Sequence, residues 1–562
     1  MRFPCRMAEA AITPSSTDTS SSAKPPTSRR IRNPQPGRKT IHAFSHPFQI
    51  SIMKNHYRTP VRRGLALGSI LLASLVTLEA ATPVWDGGSS GTNRGWDTAS
   101  NWNPNTAIAT GDDVSIGTGA LGGSATAIGG MMGINASYTI RSLTLDNTSG
   151  LFPTGGLFIR NSTLSTPTSN TLTFNTAAID AIKFQGGSSP TVTFISNTST
   201  ANLTINLGYT GQANFSVAGG GTLTFDGSNN AAAMLTGTGG INKTGAGTLV
   251  LSGVSNDFAG GLTISGGTVE FDSATRLGSV AIANTDAIVI ANGTLRLTAS
   301  SGSFNNSANR GIRVGDQSSV IDVKNSGVDL SLQNSVRNIS GQNGVLTKAG
   351  LGNLSLEGNT YSYTGGTLVN AGTLTVNGVT VGGSSSVAGI TVASGATLRG
   401  SGTFNGNSTF AAGSTVNVGT YAANAQTAAI GAMTFNDGLT INGGTFLIDL
   451  AAPGSSDLIA SSSLNISNGV FDLSNLVFTT VTGYSAGTYT LFSSSSSVVG
   501  SFGSNVTGTL GGLNVVLAFG NAGTTIDLIV TSSAIPEPST FAGLSGLVAL
   551  GCASLRRRRQ SA

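Results

Sequence analysis

The sequence predicts a long all-β chain, and three observations carry that prediction. They are a glycine-rich, charge-poor composition, a two-residue alternation of apolar and polar side chains, and an ungapped internal repeat. Of 562 residues, 78 are Gly and only 9% are charged. Gly is then about twice its usual share and charge less than half of the usual quarter, which disfavours a helical or α/β enzyme. A disordered chain would carry more charge or less apolar surface, and a collagen would place Gly at every third position. Short strands joined by Gly-bearing turns remain.

The rare residues divide the chain. Cys5 and Cys552 lie at its extremes, and His42, His46 and His56 all fall before Tyr57. Of 29 Lys and Arg, 12 precede residue 64 and four are Arg556 to Arg559; the 13 that remain face 20 Asp and Glu between residues 82 and 535. The central body is therefore acidic, about −7, although the whole chain has a formal charge of +5.

In chain order, residues 1–52 are rich in Ser, Thr, Pro and Arg without an apolar period. They read as a disordered segment or a misassigned start with Met53 the true one, and the export signal that follows argues against a nucleic-acid-binding arm. Residues 53–81 have the anatomy of a secretory signal peptide: Lys54, Arg58, Arg62 and Arg63, then the apolar run Leu65 to Leu78, then Ala80-Ala81. Residues 82–120 hold all three tryptophans, Trp85, Trp96 and Trp102, among Asp, Asn and Gly. Such rings plug the open first coil of a solenoid or stack on sugars, so the three are candidate carbohydrate contacts as well as a cap.

From 121 to 429 the pattern is period two: Leu143 and Leu145, Leu172 and Phe174, Leu223 and Phe225, and Leu295 and Leu297 alternate with polar residues. That is the mark of strands with one buried face. Residues 241–271 and 346–376 align without a gap at an offset of 105, with ten identities. Lys243 pairs with Lys348, Gly245 with Gly350, Gly247 with Gly352, Leu249 with Leu354, Leu251 with Leu356, and Phe258 with Tyr363. An internal repeat of this kind signals a solenoid, because one copy cannot bury its apolar face alone.

The pattern K-x-G-x-G-x-L-x-L-x-G, an aromatic, G-G and G-T-[LV] resembles the autotransporter-associated β-strand repeat. The resemblance implies a right-handed parallel β-helix with irregular β caps. At about 22 residues per coil and 4.8 Å between coils, some 450 residues would form about 20 coils and a rod on the order of 100 Å, with the repeat offset near five coils. Residues 430–533 are less regular and are expected to close the rod, since the last apolar layer of a solenoid must be covered. No strand series of a translocating membrane barrel stands out near the C-terminus.

The last segment, 534–559, combines Pro536-Glu537-Pro538, the apolar stretch Phe541 to Leu555 and Arg556 to Arg559. The prolines keep the motif out of helices and central strands. The apolar stretch reads as a short hydrophobic helix, with the arginines held on the cytoplasmic side. This tail resembles the PEP-CTERM sorting signal. The resemblance implies recognition of Pro536, Glu537 and Pro538 by an exosortase-type membrane protease, transient inner-membrane anchoring through Phe541 to Leu555, and delivery to the cell surface or extracellular matrix.

With no His or Cys between residues 82 and 535, Ser-His-Asp and Cys-His nucleophile systems and zinc sites on those ligands are excluded from the body. Glu270 with Asp272, and Asp112 with Asp113, are the carboxylate pairs to weigh. The former alternates with Val269 and Phe271 as a solvated strand face; the latter, if in a strand, points to opposite faces. The expectation is a non-enzymatic, secreted stalk or adhesin-like protein that meets extracellular polysaccharide or the cell envelope, with no cofactor, no metal and no nucleic-acid partner. The alternative is a polysaccharide lyase or hydrolase, or a carbohydrate-binding protein, on a β-helix; charged side chains clustered across adjacent coils would favour the enzyme.

Overall fold

The computed structural model describes residues 81–532, apart from 87–93, 118–130, 154, 162–167, 178–179, 187–189, 197, 199, 280–283, 359, 385, 387, 423–424 and 429. The start region 1–52, nearly all of the signal peptide, and the sorting tail with its expected hydrophobic helix lie outside these residues. Among the described residues helical structure is limited to short 3₁₀ turns at Ala99–Asn101, Ala274–Arg276, Leu473–Asn475 and Asn521–Gly523. None is long enough to cross a membrane.

Strands rich in Thr, Val, Leu, Ile and Phe, punctuated by Gly, stack in parallel to form a β-helix with three faces. The first face runs from Asp112–Ile116 through Gln212–Val217, Gly240–Thr244, Leu262–Ile264, Asn284–Ile290 and Arg310–Val314 to Val336–Asn338. Single bridges at Tyr361 carry it on to Thr380–Val381 and Thr403–Phe404. The second face runs from Met131–Gly133 through Leu157–Arg160, Thr191–Ile195, Thr222–Asp226, Thr248–Ser252, Thr268–Phe271, Gly293–Leu297 and Ser319–Val323 to Leu346–Ala349, Thr367–Val369, Ile390–Val392 and Ser408–Phe410. The third face includes Gly302–Asn305, Val328–Leu332, Asn353–Leu356, Thr373–Val376, Thr397–Gly400, Thr415–Val418, Thr445–Leu450 and Leu476–Thr480.

Parallel in-register stacking puts like residues over like, so the core is a set of columns. On the second face Ile159, Phe194, Phe225, Leu251, Phe271, Leu297 and Val323 form one such column, and all are buried. The Phe194 and Phe225 rings stack at 5.0 Å, and Phe404 and Phe435 repeat the arrangement at 5.2 Å further on. Burying each such side chain contributes about 1.5–3 kcal/mol. A lone coil has nothing above or below to supply that contact.

The coils are longer than the repeat spacing led us to expect, and there are fewer of them. Successive partners on the second face are as close as Val392 and Phe410 and as distant as Leu157 and Val192. Extra residues sit in the connections between faces, which the strand alternation does not register. The described coils number about 14, a rod of roughly 65 Å at the spacing of paired strands. Some connections have structure of their own: the antiparallel hairpin of Thr420–Ala422 and Ala425–Ala428 leaves the solenoid between the third and first faces.

Both ends of the stack carry structure that departs from the repeating coil. At the start, Val84–Trp85 pairs antiparallel with Trp102–Asn103 and parallel with Asp112–Ile116. At the other end the composition changes near residue 430, whereas parallel pairing continues through Leu476–Thr480 to Gly487–Ser494, which pairs parallel with Leu458–Ile466. Gly487–Ser494, Thr525–Thr531, Leu513–Gly520 and Thr507–Leu510 then form an antiparallel meander across the last coils.

Candidate functional site

The repeat identified in the sequence builds a corner. In the first copy, Gly240–Thr244 on the first face turns at Gly245 into Thr248–Ser252 on the second. In the second copy, Leu346–Ala349 on the second face turns at Gly350 into Asn353–Leu356 on the third. Gly245 and Gly350 take φ values of +73° and +74°, in the region L side chains avoid. A Cβ on Gly350 would also collide with the Val323 carbonyl and Asp322 Oδ1.

Each corner contains a lysine that points inward. Lys243 stands in a column with Phe215 below and Ile264 above, and Lys348 stands between Ile321 and Val369. Both are fully buried. Lys243 Nζ donates to the carbonyls of Thr244 at 2.8 Å, Gly245 at 2.8 Å and Gly266 at 3.1 Å. Lys348 Nζ donates to Ala349 at 2.7 Å, Gly350 at 2.9 Å and Ala371 at 3.1 Å. Every acceptor in one set is the repeat equivalent of an acceptor in the other. The stem fills the apolar column, and the ammonium, with three donors and no acceptor, satisfies carbonyls that a sharp turn withdraws from the ladder. Two acceptors lie in the lysine's own coil and the third in the next coil, so each lysine also ties neighbouring coils together. Burial pushes Lys243 down to about 8 and Lys348 down to about 7, the latter opposed by the Asp322 carboxylate.

The alternation could have shown this placement, because Ile241 and Lys243, and Leu346 and Lys348, share the inward parity of their strands. It also corrects the offset. Lys243, Ile264, Ile290, Val314 and Asn338 form one column over four turns, and Lys348 lies one strand beyond. The repeat distance is therefore four turns and one strand, not five coils.

The tryptophans plug the first coil. Trp85 is 4% exposed and Trp96 and Trp102 are 0% exposed. Trp102 meets Trp85 edge to face at 5.1 Å and Trp96 at 5.6 Å, and its indole N–H donates to the Trp96 carbonyl. Sugar stacking needs a ring face open to solvent, and these three offer none. Pro536, Glu537 and Pro538 lie outside the described residues.

The carboxylates weighed for catalysis are, with the exception of Asp112, each held by an arginine. Arg296 takes Glu270 at 3.1 Å and Asp322 at 2.7 Å, an ion ladder across three coils of the second face. Asp272 pairs with Arg276 at 2.7 Å, so Glu270 and Asp272 serve different partners. Asp113 binds Arg141 and accepts from the Ser142 hydroxyl; the Arg141 hydrogen bond holds the Asp113 carboxyl below its usual range. Asp112 accepts from the Ala109 amide. Sequence reasoning did not anticipate the ladder, because its three members come from successive coils and meet only through coil register. Among the described residues no group of three or more His, Cys, Asp or Glu is placed to hold a metal.

The repeats also stand out in comparison with known proteins. Residues 241–271 and 346–376 match the family described as Passenger-associated-transport-repeat. A stretch of 137 residues, 24% of the chain, is 36% identical to the Adhesin BmaC autotransporter of Brucella suis biovar 1 (strain 1330), and it covers 4% of that much longer protein. The adhesin similarity is thus confined to a minor part of each protein, and the two copies that match the repeat family are those whose corners hold the buried lysines.

Proposed function

We propose that this chain is an exported, non-enzymatic, adhesin-like component of the cell surface or its polysaccharide matrix, in which the β-helix is a rigid stalk. The observation that carries the proposal is the pair of lysine-locked repeat corners, found in stretches that match the passenger-associated repeat in a chain similar over part of its length to a bacterial adhesin. Ion pairing of the outward carboxylates supports a structural role for the second face. Delivery is proposed to run through the 53–81 signal peptide, transient anchoring by Phe541 to Leu555, and an exosortase-type protease that reads Pro536, Glu537 and Pro538.

The test has two arms. Cells carrying Glu537→Gln should retain an unprocessed chain, whereas wild type is cut and displayed; an unchanged mature mass with normal display would refute the sorting route. Purified wild-type chain incubated with the host's exopolysaccharide should bind it and leave it intact. New reducing or unsaturated ends would refute the stalk reading in favour of a lyase or hydrolase.

A further inference from the structure

On the first face, Ile312, Val314 and Val336 point into the core, so Arg313 and Arg337, in register on adjacent strands, project outward one above the other. Stacked like charges repel. Arg313 is relieved by Asp286, with Nε to Oδ1 at 2.6 Å and NH2 to Oδ2 at 3.0 Å, and its NH1 donates to the Asn338 carbonyl. Arg337 has no such contact. Its Nε donates to Ser335 Oγ at 3.2 Å. Asp286 feels its charge from a distance, but among the described residues no carboxylate forms an ion pair with it.

Beside Arg337 lies a groove of about 430 Å³ lined from three successive coils, within the size range of small-ligand clefts (~300–1,000 Å³). Gln333, Ser335, Arg337, Thr360 and Ser362 line it, and Asn334 Nδ2, donating to the Ala308 carbonyl at 2.6 Å, closes its edge. No hydrogen bond among the described residues engages the Gln333 amide or the Thr360 and Ser362 hydroxyls. The lining has no aromatic ring and no carboxylate. Glu357, a short way along the chain, accepts from the Ser331 hydroxyl instead.

We propose that this groove binds an acidic saccharide unit, a sugar ring carrying one carboxylate. The outer NH1 and NH2 of Arg337 are a planar pair of donors suited to a carboxylate. The amide and hydroxyls around it both donate and accept, as a ring of sugar hydroxyls requires. One guanidinium without an ion pair matches one negative charge, and the walls offer no aromatic or branched aliphatic side chain to a peptide's apolar side chain, Ala308 being the single aliphatic residue. An acidic body of about −7 repels polyanions as a whole, so the contact is confined to this locally basic spot and is salt-sensitive. The inference rests on the surface-polymer reading given above and names the chemistry it would meet.

The experiment is titration calorimetry on the purified full-length chain with trigalacturonate, neutral galactotriose and a sulfated trisaccharide as probes. The expected result is trigalacturonate binding that weakens with added salt and is at least about tenfold tighter than for either of the other probes. Arg337→Gln should weaken it at least about tenfold with an unchanged melting temperature, and Arg337→Lys should recover part of the loss. The proposal is overturned if folded wild type does not bind trigalacturonate, if galactotriose or the sulfated sugar binds as well, or if Arg337→Gln binds like wild type. Cells displaying Arg337→Gln separate the two readings. Normal display with lost trigalacturonate binding leaves the stalk reading intact, whereas failure of the wild-type chain to reach the surface refutes that reading alone.

Discussion

Lys243 and Lys348 hold the same cradle of three carbonyls from two different faces of the solenoid, one at the edge between the first and second faces and the other at the edge between the second and third. The unit shared by the two copies is therefore a corner, which can be used at any edge of the coil, and not a position on one face.

Replacing either lysine by Met keeps the apolar stem and removes the donors. Three partly buried carbonyls then lose their partner, at up to about 1–3 kcal/mol for each one left unsatisfied, with water entry recovering part. Lys348→Met and Lys243→Met are each expected to lose about 2–4 kcal/mol in urea unfolding. Hydrogen exchange should accelerate in the two coils that the lysine bridges. A loss below about 0.5 kcal/mol would refute the cradle's role.

Titration of the same lysines gives stability an alkaline limb. Folded Lys348 sits at about 7 and Lys243 at about 8, against ~10.4 in an unfolded chain. Between those values the unfolded state holds protons that the folded state has released, so the lysines' contribution to stability rises as pH climbs from about 7 to 10. Asp457 acts in the opposite sense. Burial raises it to about 7, although the Gly431 and Asp449 amides donate to it. Its contribution is present below ~4 and is lost as pH rises through 7. Melting curves of wild type minus Lys348→Met should climb from pH 7 to 10, and those of wild type minus Asp457→Asn should fall from pH 4 to 7. A flat difference curve would contradict the corresponding assignment.

Arg296→Met leaves Glu270 and Asp322 facing each other across the vacated coil. The ladder is partly exposed, so the expected loss is about 0.5–1.5 kcal/mol, shrinking in high salt. An equal loss at low and high salt would assign the effect to the packing of the arginine stem instead.

Trp102→Ala should cost about 3–5 kcal/mol, because it empties the centre of the first-coil plug and removes the indole donor to Trp96. Loss of protection should concentrate in Val84–Trp85 and Asp112–Ile116, with distant coils unaffected. In the wild type, saccharides should leave tryptophan emission unchanged, since no ring faces solvent. Quenching by a sugar would overturn the plug.

The all-β class and the alternating inward columns were legible in the sequence because period two is written residue by residue, as in Leu249, Leu251, Val269 and Phe271. Both repeats were legible to their boundaries. The number of coils was not, since insertions in the connections leave the columns intact and no local pattern reports their length. Nor could the partners of Arg296 or the solitude of Arg337 be read, because both follow from register between strands a whole coil apart in the sequence. The lysines lie between these cases: their inward parity is local, but the third carbonyl belongs to the following coil and appears only once coils are stacked.

The reversal of strand direction beyond Gly487–Ser494 bears on assembly. A β-helix is an unfinished crystal in one dimension, since each coil is a template for the next and nothing in the stacking rule says where to stop. Here the strand set against Gly487–Ser494 is the antiparallel Thr525–Thr531, followed by Leu513–Gly520 and the short edge Thr507–Leu510. The incoming direction no longer matches, so a second molecule finds no coil edge there on which to continue. On this edge the stacking rule ends inside the chain, whereas Leu476–Thr480 remains the outer strand of the third face, so any end-to-end continuation is confined to one side of the coil.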